Sequence, residues 1–133
     1  MIMPLNILLF DNSPEVRTML QRNLLQISQT LNIVLVENML AAKAALDKTF
    51  FDIAIIDMDK LDGIFNLFIA TARNANPEIV VILLSSLPFT KIFEIFINNG
   101  ADYCFDKTNE FEELIQKIDE LLIESYQLNK VAG

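Results

Sequence analysis

The sequence predicts a doubly wound α/β fold built on a five-stranded parallel sheet with right-handed crossovers. Three features carry that expectation, and the first two are short, nearly continuous aliphatic runs and stretches of helical periodicity between them. The third is size and composition. A chain of 133 residues with 53% hydrophobic side chains suits one packed domain and leaves little room for a second.

The first run is Leu5–Phe10. After it, Asn12, Ser13, Pro14 and Glu15 read as a helix start: a capping side chain, a proline where its missing N–H is harmless, and an acid facing the positive helix end. The apolar stripe of that helix is Val16, Met19, Leu20, Leu24 and Ile27. The second run, Asn32–Val36, leads through Asn38 into a helix carrying Ala41, Ala42, Ala45 and Leu46. The third run is Asp52–Ile56, with a helix expected from near Asp62 and Gly63. The fourth, Ile79–Leu84, is followed by a helix from near Pro88, and the fifth is Tyr103–Phe105. The last helix is expected after Asn109, with Glu112 three residues on as in a capping box. Its stripe runs Phe111, Leu114, Ile115, Ile118, Leu121, Leu122. Unbroken runs of this length suit strands buried on both faces. One domain over residues 1–133 is expected, with a core of about 5–123 and a short tail at 124–133.

Composition narrows the function. A net charge of −8 opposes a phosphate backbone, so no nucleic-acid partner is expected. The longest aliphatic run, Ile79–Leu84, is far shorter than the roughly 20 residues a membrane span needs. Nothing at the start of the chain reads as a signal peptide, and a soluble, cytoplasmic protein is expected. One cysteine, Cys104, permits no internal disulfide. Histidine is absent, which removes His-based acid–base chemistry and any role as a phosphohistidine donor. Carboxylates, hydroxyls and lysines are left to carry any chemistry.

In a sheet of this kind ligands bind beyond the carboxyl ends of the strands. The residues there are Asp11 and Asn12 after the first run, Asp57 and then Asp59 after the third, Ser85 and Ser86 after the fourth, and Asp106 and Lys107 after the fifth. Here a family resemblance appears. The segment 7–14 (ILLFDNSP) looks like the opening of a response-regulator receiver domain, and 51–57 (FDIAIID) resembles the strand that delivers its phosphorylated aspartate. Residues 84–86 (LSS) resemble the strand-four hydroxyl and the small residue after it, and 100–107 (GADYCFDK) the approach to its lysine. Each motif is weak alone; the four are collinear from about Leu5 to Leu122.

The resemblance implies a flavodoxin-like (βα)5 sheet of strand order 2-1-3-4-5 and phosphorylation of Asp57 by a sensor histidine kinase or phosphotransfer protein. It implies Mg²⁺ among Asp11, Asn12, Asp57 and the backbone carbonyl of Asp59, a hard cation suited to oxygen ligands. Ser85, Ser86 and Lys107 would bind the phosphoryl group. Ser85 and residue 104 would form the switch. Output would pass by contact to another protein or a second copy, with the apolar arc of Phe89, Phe93 and Phe96 on the fourth helix as the surface. About 26 residues follow Lys107, too few for an output domain in this stretch.

The sequence also departs from the family pattern. Asn12 replaces the usual second acid, and the loop after Asp57 is about two residues short and lacks its proline. Asp59 places an acid two residues beyond the phosphorylation position. Cys104 stands at the switch aromatic, with Tyr103 one place early, and Thr108 replaces the proline after the lysine. A receiver-like interaction module without phosphorylation therefore stays open. So does a haloacid-dehalogenase-type phosphatase, because 55–61 (IIDMDKL) contains an acid pair resembling that family's nucleophile motif.

Overall fold

The computed structural model describes residues 5–11, 18, 19, 21–24, 31–57, 65–86 and 90–132, without the side chains of 90–93 and 125–132. Strands β1 (Leu5–Phe10), β2 (Leu31–Val36), β3 (Ile53–Asp57), β4 (Val80–Ser85) and β5 (Tyr103–Asp106) form one parallel sheet in the order β2-β1-β3-β4-β5. Helical residues 18–19 and 21–24 are labelled α1. They are followed by α2 (Met39–Lys48), α3 (Phe65–Ala75), α4 (Thr90–Asn98) and α5 (Phe111–Ala132). The five aliphatic runs match the five strands to within one residue at either end.

Alternation along the central strands divides the core. Leu8, Phe10, Ala54, Ile56, Val81 and Leu83 face α2 and α3, whereas Ile7, Leu9, Ile53, Ile55, Ile82 and Leu84 face α5. Both faces of β1, β3 and β4 are covered, which is why those strands read as unbroken hydrophobic runs. The edge strands β2 and β5 are less buried. Phe10 meets Phe68 of α3 edge-on at 5.4 Å, and Phe65 meets Phe96 of α4 at 5.1 Å. In α1, Leu24 is buried as its stripe predicts, but Met19 is half exposed; Val16, Leu20 and Ile27 lie outside the described residues.

Local signals explain the element ends. The Asn38 side chain accepts from the Ala41 N–H at 2.8 Å, capping α2. Helix α4 is followed by a turn at Gly100, whose φ of +117° suits glycine. The Gly100 N–H bonds to Ile97 O and the Ala101 N–H to Phe96 O, closing the turn. One helix end and one cap differ from expectation. Helix α5 continues to Ala132, so the segment expected as a tail is helical nearly to its end. Its start is organised by Asp106 and Glu110, and the Asn109 amide bonds to Asp106. An aspartate two residues before an N–H captures it more readily than the anticipated Asn109–Glu112 box.

The chain passes from β1 outward to β2 and then back across β1 to β3. That reversal opens a crevice beyond the carboxyl ends of β1 and β3.

Candidate functional site

Among the described residues, the buried polar or charged ones are Asp11, Asp57, Asn76, Ser85 and Asp106. Four of these five close the carboxyl ends of β1, β3, β4 and β5, with exposures of 1%, 1%, 2% and 4% respectively. Buried polar groups require partners, so their concentration at one end of the sheet marks a site.

Asp11 and Asp57 are neighbours by register. Phe10 pairs with Ile56, so the next residue of each strand carries a carboxylate. Asp11 is also fixed through its backbone N–H, which bonds to Val36 O at 3.1 Å. Lys107 reaches from beyond β5 across the end of β4. Its Nζ donates to Asp57 Oδ2 at 3.0 Å, with the Asp57 side chain fully buried and that of Lys107 17% exposed. The Lys107 N–H donates to Ser85 O at 3.0 Å, tying the lysine to the residue that ends β4. Ser86 is exposed beside it.

Asn12 and Asp59 lie outside the described residues, and so does Phe89. The side chain of Phe93 is likewise outside them. Phe96 is half-buried, and its contact with Phe65 turns the ring toward the core. The described residues of α4 that present apolar surface are Ile95, 56% exposed, and Ile97, 47% exposed.

Cys104 pairs with Leu83 and packs on the α3 and α4 side of the sheet. Burial pushes its thiol up to about 11. A thiol so placed stays protonated near neutral pH and is a poor nucleophile. Tyr103 packs on the other side, against α5, with Lys117 Nζ 4.5 Å from its ring centroid. The aromatic at 103 therefore faces away from α4 and does not substitute for an aromatic at 104.

The donor set at the crevice is oxygen only. Two buried carboxylates at adjacent strand ends fit Mg²⁺, which commonly takes one or two carboxylates and fills its shell with water or phosphate oxygens. Among the described residues no three acidic, His or Cys ligands gather as a closed metal cage. The arrangement suits a hard divalent ion shared with a phosphoryl group better than a structural metal.

Sequence reasoning missed the turn that carries Lys107. Asp106 Oδ1 accepts from the N–H groups of Thr108 at 2.8 Å and Asn109 at 3.2 Å, and Glu110 Oε1 accepts from the Asp106 N–H at 2.9 Å. The signal was present: an aspartate before Lys-Thr-Asn is turn chemistry.

A family model for the response regulator receiver domain matches residues 7–119. No curated protein matches the chain. Among solved structures, a response regulator from Thermotoga maritima superposes with a TM-score of 0.78 at 17% identity, covering 90% of this chain and 98% of the other. The signal receiver domain of a DNA-binding response regulator from Colwellia psychrerythraea 34H gives 0.74 at 25% identity, covering 89% and 98%. An atypical orphan response regulator, described as revealing a phosphorylation-independent regulatory mechanism, gives 0.73 at 17% identity, covering 89% and 95%.

Proposed function

The chain belongs to the response regulator receiver domain family, matched over residues 7–119, and from that premise we propose that it is a phosphate-accepting switch with Asp57 as the acceptor. Receivers of this kind are signalling domains rather than metabolic enzymes, so the phosphatase reading of residues 55–61 falls away. The observation that carries the proposal is the contact between Lys107 Nζ and the buried Asp57 carboxylate at 3.0 Å, made across the intervening end of β4. A buried carboxylate with a lysine on one oxygen and a second carboxylate beside it is arranged for anionic chemistry.

The chemistry follows from that geometry. A carboxylate oxygen of Asp57 attacks the phosphorus of a phosphohistidine on a sensor kinase or phosphotransfer protein. The P–N bond breaks, its electron pair returns to the imidazole, and an acyl phosphate remains on Asp57. The chain contains no histidine, so the donor is a separate residue source. Lys107 then has phosphoryl oxygens within reach of its ammonium, and Ser85 and Ser86 supply hydroxyls. Mg²⁺ held by Asp11 and Asp57, with Asn12 and the Asp59 carbonyl completing the protein ligands, would neutralise charge at the transferring group. Output would pass by protein contact in the cytoplasm, through the face to which α4 contributes Ile95 and Ile97.

A second reading is an interaction module that keeps one conformation without phosphate. It is supported by Asn12, by the small Cys104 side chain at the switch position, and by the likeness to a phosphorylation-independent orphan regulator. Intact-mass measurement after incubation with acetyl phosphate and Mg²⁺ separates the two. A single base-labile phosphate adduct on the wild type, absent from Asp57→Ala, is the expected result. An adduct that survives Asp57→Ala, or none on the wild type, contradicts the first reading.

A further inference from the structure

We infer that Asp106 and Glu110 are positioning residues for Lys107: together they form a hydrogen-bonded bracket that sets where its ammonium sits. The inference rests on the phosphate-switch reading for its consequence and on the turn geometry for its substance.

Lys107 has a long, flexible stem, and fixing its ammonium on one carboxylate oxygen costs rotamer entropy. That cost falls if the backbone at its root is rigid. In this chain the root is held on both sides. Before the lysine, the Asp106 N–H donates to Glu110 Oε1 at 2.9 Å. At the lysine itself, the N–H donates to Ser85 O at 3.0 Å. After it, the N–H groups of Thr108 and Asn109 donate to Asp106 Oδ1, and Asn109 Nδ2 donates to Asp106 Oδ2 at 3.1 Å. The Glu110 N–H closes the loop on Asp106 O at 2.7 Å.

Asp106 is 4% exposed, so its carboxylate accepts these turn N–H groups in a poorly solvated place where such bonds are strong. The residue after the lysine adds the sequence logic. A proline at 108 would restrict the backbone through its ring but would have no N–H to give. Thr108 supplies that N–H, and its bond to Asp106 Oδ1 is the shortest of those this carboxylate accepts from the turn, at 2.8 Å. Rigidity at the lysine therefore comes from side-chain hydrogen bonds instead of a ring.

The test separates the turn from the fold and from the phosphate reading. Asp106→Ala removes both carboxylate oxygens; Asp106→Asn keeps an oxygen able to accept from Thr108 and Asn109. Glu110→Ala and Glu110→Gln make the same contrast at a more exposed position, should Asp106→Ala fail to fold. The rate of Asp57 adduct formation with acetyl phosphate and Mg²⁺ is read for each. The order parameter of the Lys107 ammonium is read alongside by nitrogen-15 NMR. Expected is a fall in rate of about tenfold for Asp106→Ala, from misplacing a group by a fraction of its reach, with a looser ammonium and recovery of both in Asp106→Asn. Glu110→Ala shows a smaller loss that Glu110→Gln restores. Should the wild type form no adduct while the ammonium still loosens in the alanine variants and recovers in the amide variants, the phosphate reading fails and the positioning role stands. An ammonium equally ordered in the alanine variants overturns the inference, as does an Asp106→Asn variant as impaired as Asp106→Ala.

Discussion

At the amino ends of the strands, polar side chains serve the backbone; at the carboxyl ends, they face one another. The amino end is stitched. The Asn6 N–H donates to Asp52 Oδ2 and its side chain to Phe50 O, each at 2.9 Å, while Asn32 Nδ2 donates to Asn6 Oδ1 at 3.1 Å. Arg73 Nη2 donates to Gly100 O at 2.7 Å and to Asp102 Oδ2 at 2.9 Å, and the same Asp102 oxygen accepts the Val81 N–H. Four of these six bonds satisfy backbone groups where the strands enter the sheet, and the other two, Asn32 to Asn6 and Arg73 to Asp102, hold the side chains that do so. At the other end, Asp11 and Asp57 bring two carboxylates to neighbouring strand ends in a buried place, with Lys107 on one of them. Like charges so placed oppose folding, and a bound divalent cation would offset that cost. Polar burial at one end holds the sheet together; at the other it gathers the groups on which the proposed switch depends. Asp106 belongs to the carboxyl end in place and to the stitched end in manner.

The contrast predicts opposite responses to substitution. The largest effect is expected at the stitched end, from Asn76→Ala. Its Nδ2 donates to Phe51 O at 2.8 Å and its Oδ1 accepts the Glu78 N–H at 3.0 Å. Removing it leaves the carbonyl of a buried residue without that donor, a loss of about 2 kcal/mol in denaturant unfolding. Phosphate acceptance at Asp57 should persist in this variant; its loss would mean the two ends are not separable.

Gly100→Ala is the next in size. A side chain at φ +117° is strained, and its Cβ would lie 3.3 Å from Ile69 Cγ2. A destabilisation of about 1–2 kcal/mol is expected, again with the site intact. An unchanged unfolding midpoint would show that the α4–β5 turn relaxes.

The smallest effect concerns Cys104. Its folded pKa is raised, so stability is unaffected by this group below about 9 and falls as pH rises from there toward about 11, where the unfolded chain ionises first. Cys104→Ala should flatten that part of the pH profile. Thiol-specific alkylation of the wild type should be slow at pH 8, and rapid labelling there would contradict the burial.

Much of the fold is legible in the sequence. The strands stood out because both faces of β1, β3 and β4 are covered, which removes polar residues from them and sharpens their ends. Once the ends were known, Asp11, Asp57, Ser85 and Lys107 fell on one edge of the sheet. Side-chain direction was harder to read. Phe96 belongs to an apolar arc by sequence, yet its ring turns in to Phe65 while Ile95 and Ile97 stay out. An arc gives the faces of a helix, and only the neighbouring helix decides which of them is covered. The Asp106 turn escaped for a related reason: a competing cap, Asn109 with Glu112, reads equally well in one dimension.

In the proposed switch, the carboxyl end is held against stability for the sake of its chemistry. Asp11→Asn measures this most directly, because it removes one buried charge while preserving size and leaving the Lys107–Asp57 pair in place. Equilibrium denaturation near neutral pH without divalent ions should show the variant more stable than the wild type by about 1 kcal/mol, the sign expected on relieving like charges. A variant less stable by a similar amount would place Asp11 among the structural groups, with Asn76, and would contradict the distinction between the two ends.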